Sequence, residues 1–264
     1  GTYLVSGQKI FITWGEHDMA DNLVHLVLAR LPDAPAGVKG ISLFIVPKFM
    51  VNADGSLGQR NDVKCVSLEH KLGIHGSPTC VMSYGDEGGA IGYLVGEANK
   101  GLGYMFTMMN HARLGVGVEG MSISERAYQQ AVAYAKDRLQ SRELGSSNPE
   151  PAAIIRHPDV RRMLMTMRSQ IEAMRALCYF GGTALDKAAS LPAGAEQQQS
   201  QYLINFLIPI IKGWCTETAN ELTSLGVQVH GGMGFIEETG AAQYMRDARI
   251  TAIYEGTTGI HGMD

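Results

Sequence analysis

Residues 163–178, MLMTMRSQIEAMRALC, contain the pattern that decides the fold class of this chain. Apolar side chains follow one another there at spacings of four, four, three and four residues: Met163, Met167, Ile171, Met174 and Cys178. This spacing places them on one face of an α-helix. Pro158 precedes the pattern, and proline is favoured in a first helical turn. The segment therefore predicts a long helix with one buried face.

The helical period extends to both sides of this segment. It begins at about Asn99, and residues 202–225 form a further helical pattern with Gly226 as its C-cap. Two polar stretches, residues 146–153 and 196–201, have no apolar face and are predicted to be loops between antiparallel helices. Residues 98–264 are therefore predicted to form an antiparallel helical bundle.

The first part of the chain has a different pattern, with short apolar runs between turn residues. Residues 3–5 and 9–13, separated by a Ser6-Gly7 turn, predict a β-hairpin. Further strands are predicted at residues 23–30, 41–46, 63–68, 79–84 and 91–95. Residues 1–97 are thus predicted to form a small antiparallel β-sandwich or barrel. Together with the bundle, this domain gives an α+β fold class.

Composition excludes several classes of protein. The chain has 264 residues, of which 18% are charged, and its net charge is -4. With no basic block, nucleic-acid binding is not expected. No apolar run reaches the ~20 residues of a membrane-spanning helix. The cysteines are scattered without a CxxC pair and the histidines without HExxH, so we expect a reducing compartment and no metal site.

A GxGxxG string occurs at Gly115, Gly117 and Gly120. A dinucleotide-binding fingerprint needs a strand before its glycines, but residues 105–113, MFTMMNHAR, have a helical apolar pattern. The glycines are therefore interpreted as sites of close helix packing.

Residues 228–262 contain the most informative motifs of the chain. Gly231, Gly232 and Gly234 would let backbone amides approach an anion such as pyrophosphate, although tight turns also need glycine. Glu255 stands between an apolar segment and Gly256. In a dry pocket such a carboxylate can act as a general base, whereas most glutamates are solvated.

The order and spacing of several strings resemble the acyl-CoA dehydrogenase family over essentially the whole chain. The strings are QVHGGMG at 228–234, MRDA at 245–248 and YEGT at 254–257, with GQKIFIT at 7–13, the K-x-G-x-x-x-S segment at 71–77, Asn110 to Arg113, and the R-x-Q pair at 138–140.

The resemblance implies FAD-dependent dehydrogenation of an acyl-CoA thioester to the trans-2-enoyl-CoA, a reaction of fatty-acid β-oxidation. Glu255 would remove the pro-R α-proton while the β-hydride passes to flavin N5. The cofactor contacts implied are Phe11, Thr13, Arg138, Gln140, Gln228, Gly231, Gly232, Thr257 and Gly259. The substrate contacts implied are Ser77, Asn110, Arg113, Tyr254 and Gly256.

The resemblance also implies partners and a location. These are an acyl-CoA substrate, electron-transfer flavoprotein as acceptor, a homodimer or homotetramer, and the cytoplasm of a bacterium or the mitochondrial matrix of a eukaryote. It further implies that the chain is a fragment without the family's N-terminal helical domain, the first part of its β domain and its closing helix.

Some residues depart from the common family pattern. Phe11 replaces a frequent Trp, residues 14–18 (WGEHD) replace an Asn-Gly pair, and Gly259 replaces a common Gln. Residues 15–36 are similar to a larger bacterial branch of the family. Two alternatives stay open: reoxidation by oxygen, as in acyl-CoA oxidases, and an inactive folded fragment that binds no flavin. Glu255 speaks against nitroalkane oxidase relatives, which have Asp at this position.

Overall fold

The computed structural model describes residues 1–263 and divides into two compact units, Gly1–Met108 and Met109–Asp264. The described strands lie in the first unit, and the long helices follow them along the chain. This order confirms the α+β fold class. The predicted domain boundary between residues 97 and 98 stays a prediction.

The first unit is an antiparallel β-sandwich. Its strands are β1 (Thr2–Val5), β2 (Gly7–Thr13), β3 (Val24–Arg30), β4 (Ile41–Pro47), β5 (Phe49–Val51), β6 (Leu57–Arg60), β7 (Val63–Leu68), β8 (Thr79–Tyr84) and β9 (Ala90–Leu94). One sheet has the order β1-β9-β4-β3, a second has the order β2-β8-β7, and β5 pairs with β6. Buried side chains from both larger sheets, such as Val46 of β4 and Met82 of β8, share one core.

The predicted hairpin of residues 3–5 and 9–13 is wrong, because the two strands lie in different sheets. β1 pairs with β9, and β2 pairs with β8. Ser6 alone separates the two strands, and even the shortest common hairpin loop needs two residues. Gly7, with φ +127°, lets the chain pass from one sheet to the other.

The long helices are α1 (Gly101–Asp137), α2 (Pro158–Ser190) and α3 (Ala195–His230), and two short ones follow, α4 (Ala241–Ala248) and α5 (Thr258–His261). Apolar faces of the three long helices share a core that contains the five side chains of the 163–178 pattern. Residues 146–153 lie outside the helices, as predicted.

The three glycines of the GxGxxG string lie inside α1, and two of them bring it close to α3. A Cβ on Gly117 would lie 2.5 Å from Cγ2 of Ile211, and one on Gly120 would lie 2.8 Å from the carbonyl oxygen of Cys215. The interpretation as packing glycines is therefore confirmed for Gly117 and Gly120 and is wrong for Gly115, where a Cβ would meet no atom within 4 Å.

Two predictions about α3 are wrong. Residues 196–201 belong to its first turns, and Gly226 lies inside it. At the start of α3, Ser200 is buried and Gln197 donates a hydrogen bond to the carbonyl of Ala188 at 2.9 Å. Gly226 faces Ala127 of α1. Tertiary contacts thus extend the helix at both ends beyond its apolar pattern.

Candidate active site

Glu255 lies in a tight turn between α4 and α5 with a left-handed backbone, φ +54°. Gly256 follows with φ +94°, and a Cβ at this position would lie 3.1 Å from Nε2 of His261. A left-handed non-glycine residue costs on the order of 1–3 kcal/mol and persists only where its surroundings hold it. The turn therefore needs firm contacts on the residues around it.

Those contacts converge on the carbonyl oxygen of Gly256. Nζ of Lys212, on α3, donates to it at 2.5 Å, and Nε2 of His261, on α5, lies 3.1 Å from it. Lys212 is 0% exposed. Burial and, to a smaller extent, the charge of Arg113 lower the pKa of Lys212 to about 8, against the opposing effects of Glu217 and Glu255.

The residues on both sides of Glu255 have polar partners of their own. The hydroxyl of Tyr254 donates to Oε2 of Glu119 at 2.5 Å, and that of Thr258 donates to Oε1 of Glu217 at 2.5 Å. Burial raises the pKa of Tyr254 above its ordinary value, and the hydrogen bond to Glu119 adds to this effect.

Glu255 itself is half-buried. Within residues 1–263, its carboxylate and its backbone N–H make no hydrogen bond to another residue. The side chain thus combines partial burial with an open acceptor, which a general base requires.

A second group of predicted residues lines an open cleft of about 810 Å³ in the same unit. We call it the glycine cleft and define it by Arg138, Gln140, His157, Gln228, His230, Gly231 and Gly232. Gly231 caps the C-terminus of α3 with φ +58°. A Cβ on Gly231 or Gly232 would meet no atom within 4 Å. Both glycines therefore leave backbone exposed to the space of the cleft.

His230 adds a buried polar atom to this cleft. Its Nδ1 lies 2.7 Å from the carbonyl of Gly226, and its ring stacks on Tyr134 with centroids 4.6 Å apart. If Nδ1 donates to that carbonyl, Nε2 is an acceptor, and Nε2 has no partner within residues 1–263. An orphaned buried acceptor, an arginine and open glycine backbone fit a ligand that carries both polar heterocycle and phosphate groups.

The first unit has a separate cavity of about 440 Å³ between strands and the start of α1, lined in part by Thr13, Trp14, His25 and Tyr84. Nδ1 of His25 lies 2.8 Å from the hydroxyl of Tyr84, and Nε2 lies 2.9 Å from the carbonyl of Gly15. Burial lowers the pKa of His25 and raises that of Tyr84 to about 12.

Phe11 lies beside a register shift of β2 between Lys9 and Ile12, with φ +58° and 68% of its surface exposed. Ser77 lies in a turn before β8, where Nζ of Lys71 donates to its carbonyl at 2.8 Å.

The structure thus brings the predicted residues of the helical unit into two groups. Arg113, Tyr254, Glu255 and Gly256 lie together, since Nη2 of Arg113 is 3.6 Å from the Cβ position of Gly256. Thr257 and Gly259 follow at the start of α5, and Asn110 lies one turn before Arg113 on α1. Arg138, Gln140, Gln228, Gly231 and Gly232 form the second group, in the glycine cleft.

Sequence reasoning missed Lys212, His261, Glu119 and Glu217. Lys212 had a recognisable signal, because it interrupts an apolar stripe that includes Ile208, Ile211 and Cys215. A lysine on a buried helical face must have a polar partner. The other three gave no signal, since their partners are distant in sequence.

None of the helices within residues 1–263 is both long and apolar enough to cross a membrane. No group of three or more His, Cys, Asp or Glu side chains is arranged to hold a metal ion in this part of the chain.

Comparison with curated proteins finds a relative that matches over the whole chain. It is 3-methylmercaptopropionyl-CoA dehydrogenase of Ruegeria pomeroyi, 58% identical over 264 residues. The chain spans 44% of the length of that relative. The larger bacterial branch that residues 15–36 resemble is the one that includes this enzyme.

Two solved structures share the fold. Butyryl-CoA dehydrogenase of Megasphaera elsdenii superposes with a TM-score of 0.77 at 30% identity, covering 99% of this chain and 59% of that one. An acyl-CoA dehydrogenase of Bacillus anthracis, solved in complex with FAD, gives 0.78 at 26% identity, covering 98% of this chain and 42% of that one.

The family comparison agrees with the motifs that carried the resemblance. The sequence profile of the acyl-CoA dehydrogenase C-terminal domain matches residues 99–264, which include Arg138, the glycine cleft and Glu255. With this match and the 58% identical relative, the chain belongs to the acyl-CoA dehydrogenase family.

Proposed function

We propose that the complete protein carrying this chain is an FAD-dependent acyl-CoA dehydrogenase, which converts an acyl-CoA thioester to the trans-2-enoyl-CoA. The observation that carries this proposal is the turn at Glu255. It presents a half-buried carboxylate, without a hydrogen bond to residues 1–263, in a family whose members are named for this reaction.

Glu255 is the base that takes the α-proton. A carboxylate can remove so weakly acidic a proton only if the negative charge that develops on the thioester is stabilised. The backbone N–H of Glu255 is a donor available for that oxygen. Arg113 adds positive charge beside the turn. FAD, when bound, supplies the acceptor for the β-hydride.

The glycine cleft holds the ADP part of FAD in this proposal. Arg138 would pair with the pyrophosphate, and the backbone at Gly231 and Gly232 would approach it closely. Gln140 and Gln228 add polar contacts from the same walls. The flavin end of the cofactor would contact Phe11, Thr13, Thr257 and Gly259.

The acyl-CoA would contact Ser77, Asn110, Arg113, Tyr254 and Gly256. Because the Tyr254 hydroxyl is bound to Glu119, the phenyl ring of Tyr254 is the part that would face the substrate. We take the thioether 3-methylmercaptopropionyl-CoA as the first substrate to test, since the 58% identical relative is named for it.

Assembly and electron transfer complete the proposal. Tyr202 and Phe206, one turn apart on α3, are both 66% exposed, and exposed aromatic side chains of this size favour contact with a second copy in a homodimer or homotetramer. Electron-transfer flavoprotein would be the acceptor. The bacterial cytoplasm stays a prediction for the location.

The test is a visible absorption spectrum of the purified complete protein, followed by anaerobic titration with 3-methylmercaptopropionyl-CoA, butyryl-CoA and longer acyl-CoAs. We expect a flavin band that bleaches with at least one thioester. Glu255→Gln should keep the flavin and slow bleaching by about 100-fold or more, because the base is gone. Glu238→Gln, at an exposed residue of the short 3-10 helix Glu237–Thr239, is the matched control.

A colourless protein, or a Glu255→Gln variant that bleaches at the parent's rate, would refute the proposal. If the flavin does bleach, its rate of reoxidation in air distinguishes an acyl-CoA dehydrogenase from an acyl-CoA oxidase. Slow reoxidation is expected for a dehydrogenase, and fast reoxidation would indicate an oxidase.

A further inference from the structure

Lys212 is a buried cation to which the reaction proposed above assigns no role. Its side chain is 0% exposed, and its Nζ donates a hydrogen bond to the carbonyl oxygen of Gly256 at 2.5 Å. A buried ammonium with so few partners is costly, and an apolar residue would fill the same helical stripe at lower cost. Stability therefore does not explain why a lysine occupies this buried position.

The carbonyl that Lys212 holds is part of the turn that orients Glu255. Gly256 directly follows the left-handed Glu255, and its carbonyl oxygen is fixed from α3 by Lys212 and from α5 by His261. This oxygen belongs to the Gly256–Thr257 peptide, so fixing that peptide plane limits rotation about the Cα–C bond of Gly256 and anchors the chain directly after Glu255. The two donors thus maintain a backbone conformation that Glu255 would not adopt alone.

We infer that Lys212 is a positioning residue, which sets the direction of the Glu255 carboxylate through the Gly256 carbonyl, with His261 as the second donor. This inference rests on the proposed function of Glu255 as base. Its structural part, the hold on the turn, stands independently of that function.

The step affected is proton removal, not binding. A carboxylate displaced by about 1 Å can lose roughly 100-fold in rate while the substrate still binds. The turn should also open more often once its carbonyl has lost a donor, and its amides should then exchange hydrogen faster.

The test compares Lys212→Met with Thr223→Val in the flavin-loaded complete protein. Methionine keeps the length of the side chain and removes its ammonium. Thr223 is also fully buried on α3, but its hydroxyl bonds only within that helix, so its loss controls for a buried polar deletion. The measurements are flavin content, kcat, KM, and hydrogen exchange of the peptide that contains residues 254–259.

We expect Lys212→Met to keep its flavin, to change KM less than about twofold, to lower kcat roughly 10- to 100-fold, and to speed exchange in residues 254–259 by a similar factor. Thr223→Val should resemble the parent in flavin content, kcat, KM and hydrogen exchange. If Lys212→Met does not fold, His261→Phe, which removes the second donor, should show the same pattern with a smaller fall in kcat.

Parental kcat and parental exchange in a folded Lys212→Met, or in His261→Phe where that variant carries the test, would overturn the inference. A parent protein without dehydrogenase activity would refute the proposed function instead. Hydrogen exchange of residues 254–259 then tests the positioning role by itself. Faster exchange in Lys212→Met supports that role, and unchanged exchange overturns it.

Discussion

The side chains around Glu255 come from helices far apart in sequence, and each has a defined polar partner. Tyr254 bonds Glu119, Thr258 bonds Glu217, and Lys212 bonds the Gly256 carbonyl. Single substitutions therefore give separable results, because each removes one contact of the turn.

Stability should depend on pH through Lys212. Burial lowers its pKa from 10.5 to about 8 in the folded chain. Between these values the unfolded chain binds the proton more tightly, so the free energy of unfolding rises with pH in this window, by up to about 1.4 kcal/mol per pH unit. Lys212→Met removes this contribution.

Urea unfolding of the parent and Lys212→Met from about pH 7 to about pH 10 measures the effect. The parent should gain stability relative to the variant as pH rises through this range. A constant difference between the two proteins would mean that Lys212 titrates normally.

Tyr254→Phe should destabilise the fold by about 1–3 kcal/mol, because it leaves the carboxylate of Glu119 without its hydroxyl donor. Urea unfolding checks this value. Tyr93→Phe, at an exposed tyrosine of β9, is the control and should be neutral. Equal stability of both variants would show that the Tyr254–Glu119 hydrogen bond contributes nothing.

At the level of elements, α1 and α3 approach each other where glycines replace side chains. Gly120→Ala would place a Cβ 2.8 Å from the carbonyl oxygen of Cys215, so it should cost about 1–3 kcal/mol. Gly115→Ala, on the same helix, meets no atom within 4 Å and should stabilise by roughly 0.5–1 kcal/mol through helix propensity.

Thermal unfolding of the two glycine variants gives a direct comparison. Opposite shifts in Tm are expected. An unchanged or raised Tm of Gly120→Ala would indicate that α1 and α3 can separate to admit the new methyl group, and a lowered Tm of Gly115→Ala would contradict the predicted gain in helix propensity.

The elements themselves were predictable where the pattern is strong. The strands at residues 63–68 and 79–84 have the predicted bounds, because apolar and β-branched residues fill them. β5 and β6 were missed, since they are short and β6 contains glycine, glutamine and arginine. The start of α3 was missed because its polar residues gain helix stability only from contacts such as Gln197 to Ala188.

The candidate site was predictable only in part, for a similar reason. Local motifs identified Glu255 and the glycines of the cleft. The contact of Lys212 with Gly256 spans 44 residues of sequence, and no local pattern encodes it.

For the whole molecule, a substitution in the glycine cleft should impair flavin binding without changing the residues around Glu255. Arg138→Ala should weaken flavin retention roughly 10- to 100-fold, since it removes a charge-assisted contact in the glycine cleft, and should leave Glu255 intact. Arg142→Ala, nearby on the chain but outside the cleft lining, is the control. Flavin absorbance after dilution and gel filtration gives the readout, and equal retention in both variants would argue against a cofactor role for the cleft.

Because α3 connects the turn at Glu255 with the glycine cleft, the number of residues between Lys212 and Gly231 cannot change freely. Lys212 lies near the middle of this helix, and its C-cap Gly231 follows 19 residues later, a span of about 28 Å at ~1.5 Å per residue. Inserting or deleting a single residue between them would rotate one end by roughly 100° relative to the other. The number of residues in this segment is therefore fixed by geometry. The end of the loop at residues 146–153 is fixed as well, because the carbonyl of Ala152 accepts a hydrogen bond from the backbone N–H of Gln140 at 3.0 Å.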